Sequence, residues 1–138
     1  MQRPGRWSET YRILGLQGCE LLLVGYNTPK AALPARPSAR TTCRDSTTTL
    51  CMAAGAYQNG MFVVGVAKGG VEEGVELLAE SQIIGPSGEV IAKAETNGDE
   101  LVHAEIDLDL TARYKQTVFD FVRYRRPEMY GLITAPKA

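Results

Sequence analysis

The chain has 138 residues, 44% of them apolar and 22% charged, with a formal net charge of -1 and pI ≈ 5.9. That balance suits one globular domain, excludes a disordered tail, and gives no electrostatic basis for nucleic-acid binding. Three scattered cysteines (Cys19, Cys43, Cys51) and one histidine (His103) argue against a disulfide framework and against a zinc site.

In chain order, Met1–Gly5 is polar and lacks the apolar core of a signal peptide, and no apolar run approaches the ~20 residues that span a bilayer. A soluble, cytoplasmic protein is expected. Ser8 to Gly18 is predicted as a helix with Ser8 as N-cap and Tyr11, Leu14, Gly15 and Gly18 on one face. Glu20-Leu21-Leu22-Leu23-Val24 follows as a short apolar strand of the kind buried on both faces. Pro29, Pro34 and Pro37 mark a loop at 29–44. A second helix is predicted from Asp45 or Ser46, with Leu50, Met52, Ala53, Ala56 and Tyr57 for packing; Gly60 ends it and Met61–Ala67 forms a strand. A Gly-rich loop carries Glu72, Glu73 and Glu76, for which a solvated surface is the expectation.

Ala79–Ile84 and Glu89–Lys93 read as a hairpin around Gly85-Pro86-Ser87-Gly88. Glu100–Ile106 alternates as a half-buried strand carrying His103, expected to be an ordinary surface or rim residue. Asp107 or Asp109 then caps a short helix to Arg113 or Lys115. An extended tail, 117–138, holds Phe119, Phe121, Tyr124 and Tyr130, with a solvated basic cluster at Arg123, Arg125 and Arg126. The order of helices and strands predicts a layered α/β (α+β) fold.

Three segments together carry a family likeness: Arg6-Trp7-Ser8-Glu9-Thr10-Tyr11-Arg12, Gly25-Tyr26-Asn27-Thr28-Pro29, and Gly55 to Lys68. They stand in the order and near the spacing found in the nitrilase superfamily of carbon–nitrogen hydrolases, which the chain resembles from about Arg6 to Thr134. Within it, the nearest likeness is to the N-carbamoyl-D-amino-acid amidohydrolases. The resemblance implies the C-terminal half of an α-β-β-α sandwich, so that residues 1–138 are a partial hydrolase domain. It also implies hydrolysis of N-carbamoyl amino acids or other linear amides, without a cofactor or metal.

Cleaving such a C–N bond needs a nucleophile, a base and an oxyanion stabiliser. The family supplies them as cysteine, glutamate and lysine. In the carbamoylase branch the cysteine opens a stretch Cys-Asn-Asp-Arg-Arg-Trp-Pro-Glu-Thr; aligning Trp7, Glu9 and Thr10 puts Arg6 on its second arginine, Gly5 on its first and Gln2 on the cysteine. The base and lysine lie upstream of that cysteine. No catalytic residue is therefore carried over, and the chain is expected to be inactive alone. Cys43-Arg44-Asp45 is a weak candidate nucleophile: Thr41 and Thr42 precede it and no apolar strand feeds it. Cys19 and Cys51 read as inert core thiols.

By resemblance, Arg6 grips a substrate carboxylate, which suits a guanidinium fork, and Asn27 and Thr28 line the same pocket. For Asn27-Thr28-Pro29 alone, a plain turn is the simpler reading. Half a sandwich leaves an apolar face and sheet edges open, so a homo-oligomer or a complementing N-terminal half is expected as partner, with no nucleic acid and no membrane. Three possibilities stay open: half of a hydrolase, a non-catalytic binding or interaction subunit of the same fold, or an enzyme of altered chemistry using Cys43.

Overall fold

Helix α1, Ser8–Leu16, buries Tyr11 and Gly15, four residues apart and so on one face. In the computed structural model, which describes residues 4–30 and 43–135, Trp7 rather than Ser8 takes the N-cap position. The Ser8 hydroxyl donates instead to the Glu9 carboxylate at 3.1 Å. Past the helix, Gly18 and Cys19 donate backbone bonds to Gly15 and Leu14, closing a Schellman turn through the left-handed Gly18.

Helix α2, Cys43–Asn59, begins earlier than predicted, and most of the expected Pro-rich loop (31–42) lies outside the described residues. Met52 and Ala56 are fully buried, one turn apart. Its end repeats the first: Gly60 and Met61 donate to Tyr57 and Ala56, with Gly60 at φ +55.

Strands β1 (Leu21–Tyr26) and β2 (Phe62–Ala67) pair in parallel, as a connection through a helix requires. Two small strands, β3 (Val71–Glu72) and β4 (Val75–Glu76), form a separate hairpin. Then β5 (Gln82–Ile84) and β6 (Val90–Lys93) add antiparallel neighbours, giving the order β1-β2-β5-β6. The predicted 79–84 strand is shortened because Ala79 stands at φ +53, outside extended backbone.

Two further expectations fail. Glu100–Ile106 joins no ladder among the described residues; it runs without regular structure, its side chains alternately exposed and half-buried from Leu101 to Ile106. The tail is not extended. After α3 (Asp109–Gln116) it winds into α4 (Phe121–Tyr124), a 3-10 turn at Pro127–Met129, and α5 (Gly131–Thr134). Local capping explains part of this, since the Asp120 carboxylate accepts the Arg123 amide at 3.0 Å. Asp107 does likewise for Asp109 at the start of α3.

The core lies between the helices and one face of the sheet: Tyr11, Val24, Met52, Ala56, Met61, Val63 and Ile84. Pairing places Leu21, Leu23, Phe62, Val64, Val66 and Ile83 on the opposite face. Phe62 and Ile83 are buried there, yet Leu23 is 69% exposed and Val66 57%. The expectation that β1 is buried on both faces is corrected. Within this chain only its helix-side face is covered.

Candidate functional site

Parallel strands deliver the chain to one edge, and in open α/β sheets that carboxyl edge is where ligands gather. Here β1 ends in Tyr26-Asn27-Thr28 and β2 in Ala67-Lys68, joined by the Lys68 amide donating to the Tyr26 carbonyl at 2.9 Å. Gly25, Tyr26, Asn27, Val66, Ala67 and Lys68 line a shallow depression. The short turn at Pro4–Arg6 brings Arg6 alongside: its Nη2 donates to Thr28 Oγ1 at 3.3 Å.

Residues 22 apart in sequence thus meet, and Arg6 stays exposed. A guanidinium has five N–H donors in a fixed fork, so one bond to a hydroxyl leaves donors for an anion. Asn27 is exposed beside them. Cys43, by contrast, opens α2 and its side chain lies outside the described residues. Cys19 and Cys51 are free, half-buried thiols; the Cys19 Sγ sits 3.4 Å from the Leu21 carbonyl. His103 is exposed.

The hairpin β3–β4 leans over this edge. The Leu78 amide donates to the Thr28 carbonyl at 3.0 Å, the Lys30 amide to Glu76 at 2.8 Å, and Pro29 bridges Leu77. Lys68 pairs with Glu72 at 2.6 Å and Lys30 with Glu76 at 2.5 Å. Glu72 and Glu76 are therefore engaged by surface lysines, in exposed pairs worth little individually. Reading this stretch as a loop missed the hairpin, although Val-Glu repeats on both sides of Glu73-Gly74. Both of those turn residues take positive φ, as a tight two-residue hairpin turn demands.

Beneath the edge, the Tyr26 hydroxyl donates to the Glu80 carbonyl, and Thr49 to Gln82 at 3.1 Å. Burial pushes the Tyr26 phenol up to about 12; a Gln82 hydrogen bond opposes this and the Glu80 charge adds to it. Lys93 pairs with Glu80 at 2.8 Å. The phenol stays protonated at neutral pH and serves as a fixed donor. It positions the floor of the depression and takes no proton itself.

Comparison with known proteins places this geometry. The family model for carbon-nitrogen hydrolase matches residues 3–116, and the chain belongs to that family. A probable nitrilase of Schizosaccharomyces pombe is 25% identical over 128 residues, covering 93% of this chain and 43% of the relative. The carbon-nitrogen hydrolase of Helicobacter pylori G27 superposes with a TM-score of 0.80 at 23% identity, over 97% of this chain and 47% of that one. An amidase from Nesterenkonia sp. gives 0.66 at 17% identity, over 94% and 40%. These likenesses fix the fold as the mixed helix-and-sheet architecture of nitrilase relatives. The chain spans under half the length of the relatives it matches.

Proposed function

We propose that this chain is the C-terminal half of a carbon–nitrogen hydrolase acting on N-carbamoyl amino acids or related linear amides. In this reading Arg6 holds the substrate carboxylate while Asn27 and Thr28 shape the pocket. The cysteine nucleophile, glutamate base and lysine come from residues outside these 138, and the chain is inactive without them. The observation that carries the reading is the Arg6–Thr28 contact at the carboxyl edge of the parallel strands. It sets a fork for a carboxylate where a ligand can reach it. Among the solved relatives, the Nesterenkonia sp. AN1 amidase holds an acetamide moiety covalently on its active-site cysteine, which supports amide chemistry for the fold.

The test is ammonia release from N-carbamoyl-D-alanine, with the chain alone and coexpressed with an N-terminal half from a nitrilase relative. The expected result is no turnover alone and turnover when complemented. Arg6→Gln should then lower kcat/KM by about tenfold or more, and much less for the substrate's uncharged carboxamide. Turnover by the chain alone, abolished by a thiol-blocking reagent and by Cys43→Ser, would overturn it.

A further inference from the structure

A second cavity lies on the helical side of the molecule, between α1 and the C-terminal turns. It has a volume of about 640 Å³, within the usual range for small-ligand sites. Ile13, Leu16, Val118, Phe121, Tyr124 and Tyr130 form its largely apolar wall. It shares no lining residue with the Arg6 depression or with the open face of the sheet.

Two guanidinium groups line this apolar space, Arg12 from α1 and Arg125 from the segment after α4. Arg12 is half-buried with its centre 4.2 Å above the Phe121 ring, and its Nη1 is buried without a hydrogen-bond partner. Arg125 stands over Tyr130 at 5.6 Å. Neither forms an ion pair among the described residues. The two carboxylates of the cavity are engaged elsewhere: Glu9 receives the Ser8 hydroxyl, and Asp120 caps α4.

Burying a guanidinium nitrogen with nothing to donate to is costly, and a second positive charge nearby raises the cost. Desolvation and the charge of Arg125 both lower the Arg12 pKa, with Tyr130 opposing. An anion would relieve both penalties. A planar carboxylate matches the fork, while the aromatic and aliphatic wall suits an apolar body behind it. We propose that this cavity binds a small apolar monocarboxylate, its carboxylate on Arg12 and Arg125 and its body against Phe121, Tyr124 and Ile13.

Calorimetric titration of the full chain with 3-phenylpropionate and, separately, 3-phenylpropan-1-ol tests this. Saturable one-to-one binding is expected, with the carboxylate at least about tenfold tighter than the alcohol. Arg12→Gln should abolish that preference, Arg12→Lys should keep part of it, and Arg6→Gln should leave it unchanged. Should circular dichroism show Arg12→Gln unfolded, the decision passes to Arg125→Gln, which should weaken only the carboxylate. Equal affinity for the two probes, absence of saturation, or indifference to both arginine substitutions would overturn the proposal. Loss of binding in Arg6→Gln would move the carboxylate to the other site and overturn it as well. Because the readout is binding, failure here leaves the amide-hydrolysis reading intact.

Discussion

At Gly55 a single methyl group decides how closely α1 lies on α2. A Cβ built there would meet the Tyr11 ring at 2.5 Å. Tyr11 is fully buried, with its hydroxyl donating to the Gly5 carbonyl at 3.3 Å, so the ring has little room to swing away. Alanine gains up to about 1 kcal/mol in helix propensity, against about 1–3 kcal/mol for overpacking. Gly55→Ala is expected to lower stability by about 1–2 kcal/mol, read as a drop in the urea midpoint at unchanged m-value. A neutral or stabilised variant would mean that the two helices are free to slide apart.

The Tyr26 phenol makes a second residue-scale prediction. Its pKa is about 12 in the folded chain, while an unfolded tyrosine titrates near 10. The folded chain therefore keeps the proton longer. Stability from this group is fully present below pH ~10 and is lost as pH climbs towards the folded value. Lysines also lose charge in that range, so the comparison must be with Tyr26→Phe. That variant should be less stable at pH 9, having lost the bond to Glu80, but should fall less between pH 9 and 11 in urea titrations. Parallel curves for the two proteins would remove burial as the cause.

Among elements, helix ends carry much of the specification. Gly60 ends α2 at φ +55, and a Cβ there would stand 2.9 Å from Tyr114 Cβ on α3. Gly60→Ala thus adds left-handed strain to a steric clash and is expected to cost about 2–4 kcal/mol, seen in thermal or urea unfolding. This glycine was legible in the sequence, as were both long helices, the parallel strands and the 85–88 hairpin, because each follows from local periodicity and punctuation. The fate of Glu100–Ile106 was not. Its alternation is real, yet strand structure also needs a neighbouring backbone, and sequence periodicity says nothing of whether one is present. The tail misled for the opposite reason. Its aromatic residues suggested extended chain, whereas Asp120 and Pro127 set short helical turns. At the candidate site, Arg6, Asn27 and Thr28 were named from resemblance; that Arg6 touches Thr28 depended on the Pro4–Arg6 turn, which no periodic signal marked. Arg12 was visible only as part of the motif, because its unpartnered nitrogen arises from α4 and its neighbours folding back over α1.

For the molecule as a whole, the decisive property is the uncovered sheet face. Leu23 at 69% exposure and Val66 at 57% lie in a continuous apolar surface with Leu21 and Val64, on strands whose other face is the core. Covering a side chain of this size contributes about 1.5–3 kcal/mol, and sheets in sandwiches pack through just such faces about 10 Å apart. An isolated chain has reason to associate through this face, either with a second copy or with the other half of a sandwich. Leu23→Lys combined with Val66→Lys should leave the fold nearly as stable as before, within about 0.5 kcal/mol, since both side chains point into solvent in the single chain. In sedimentation velocity the wild-type chain is expected to gain mass with concentration, and the double variant to remain a single chain. The same variant should fail to be complemented by an N-terminal half, whereas Arg6→Gln should assemble normally and lose only turnover. A wild-type chain that stays monomeric at every concentration, or a double variant that still assembles, would mean this face is not the packing surface.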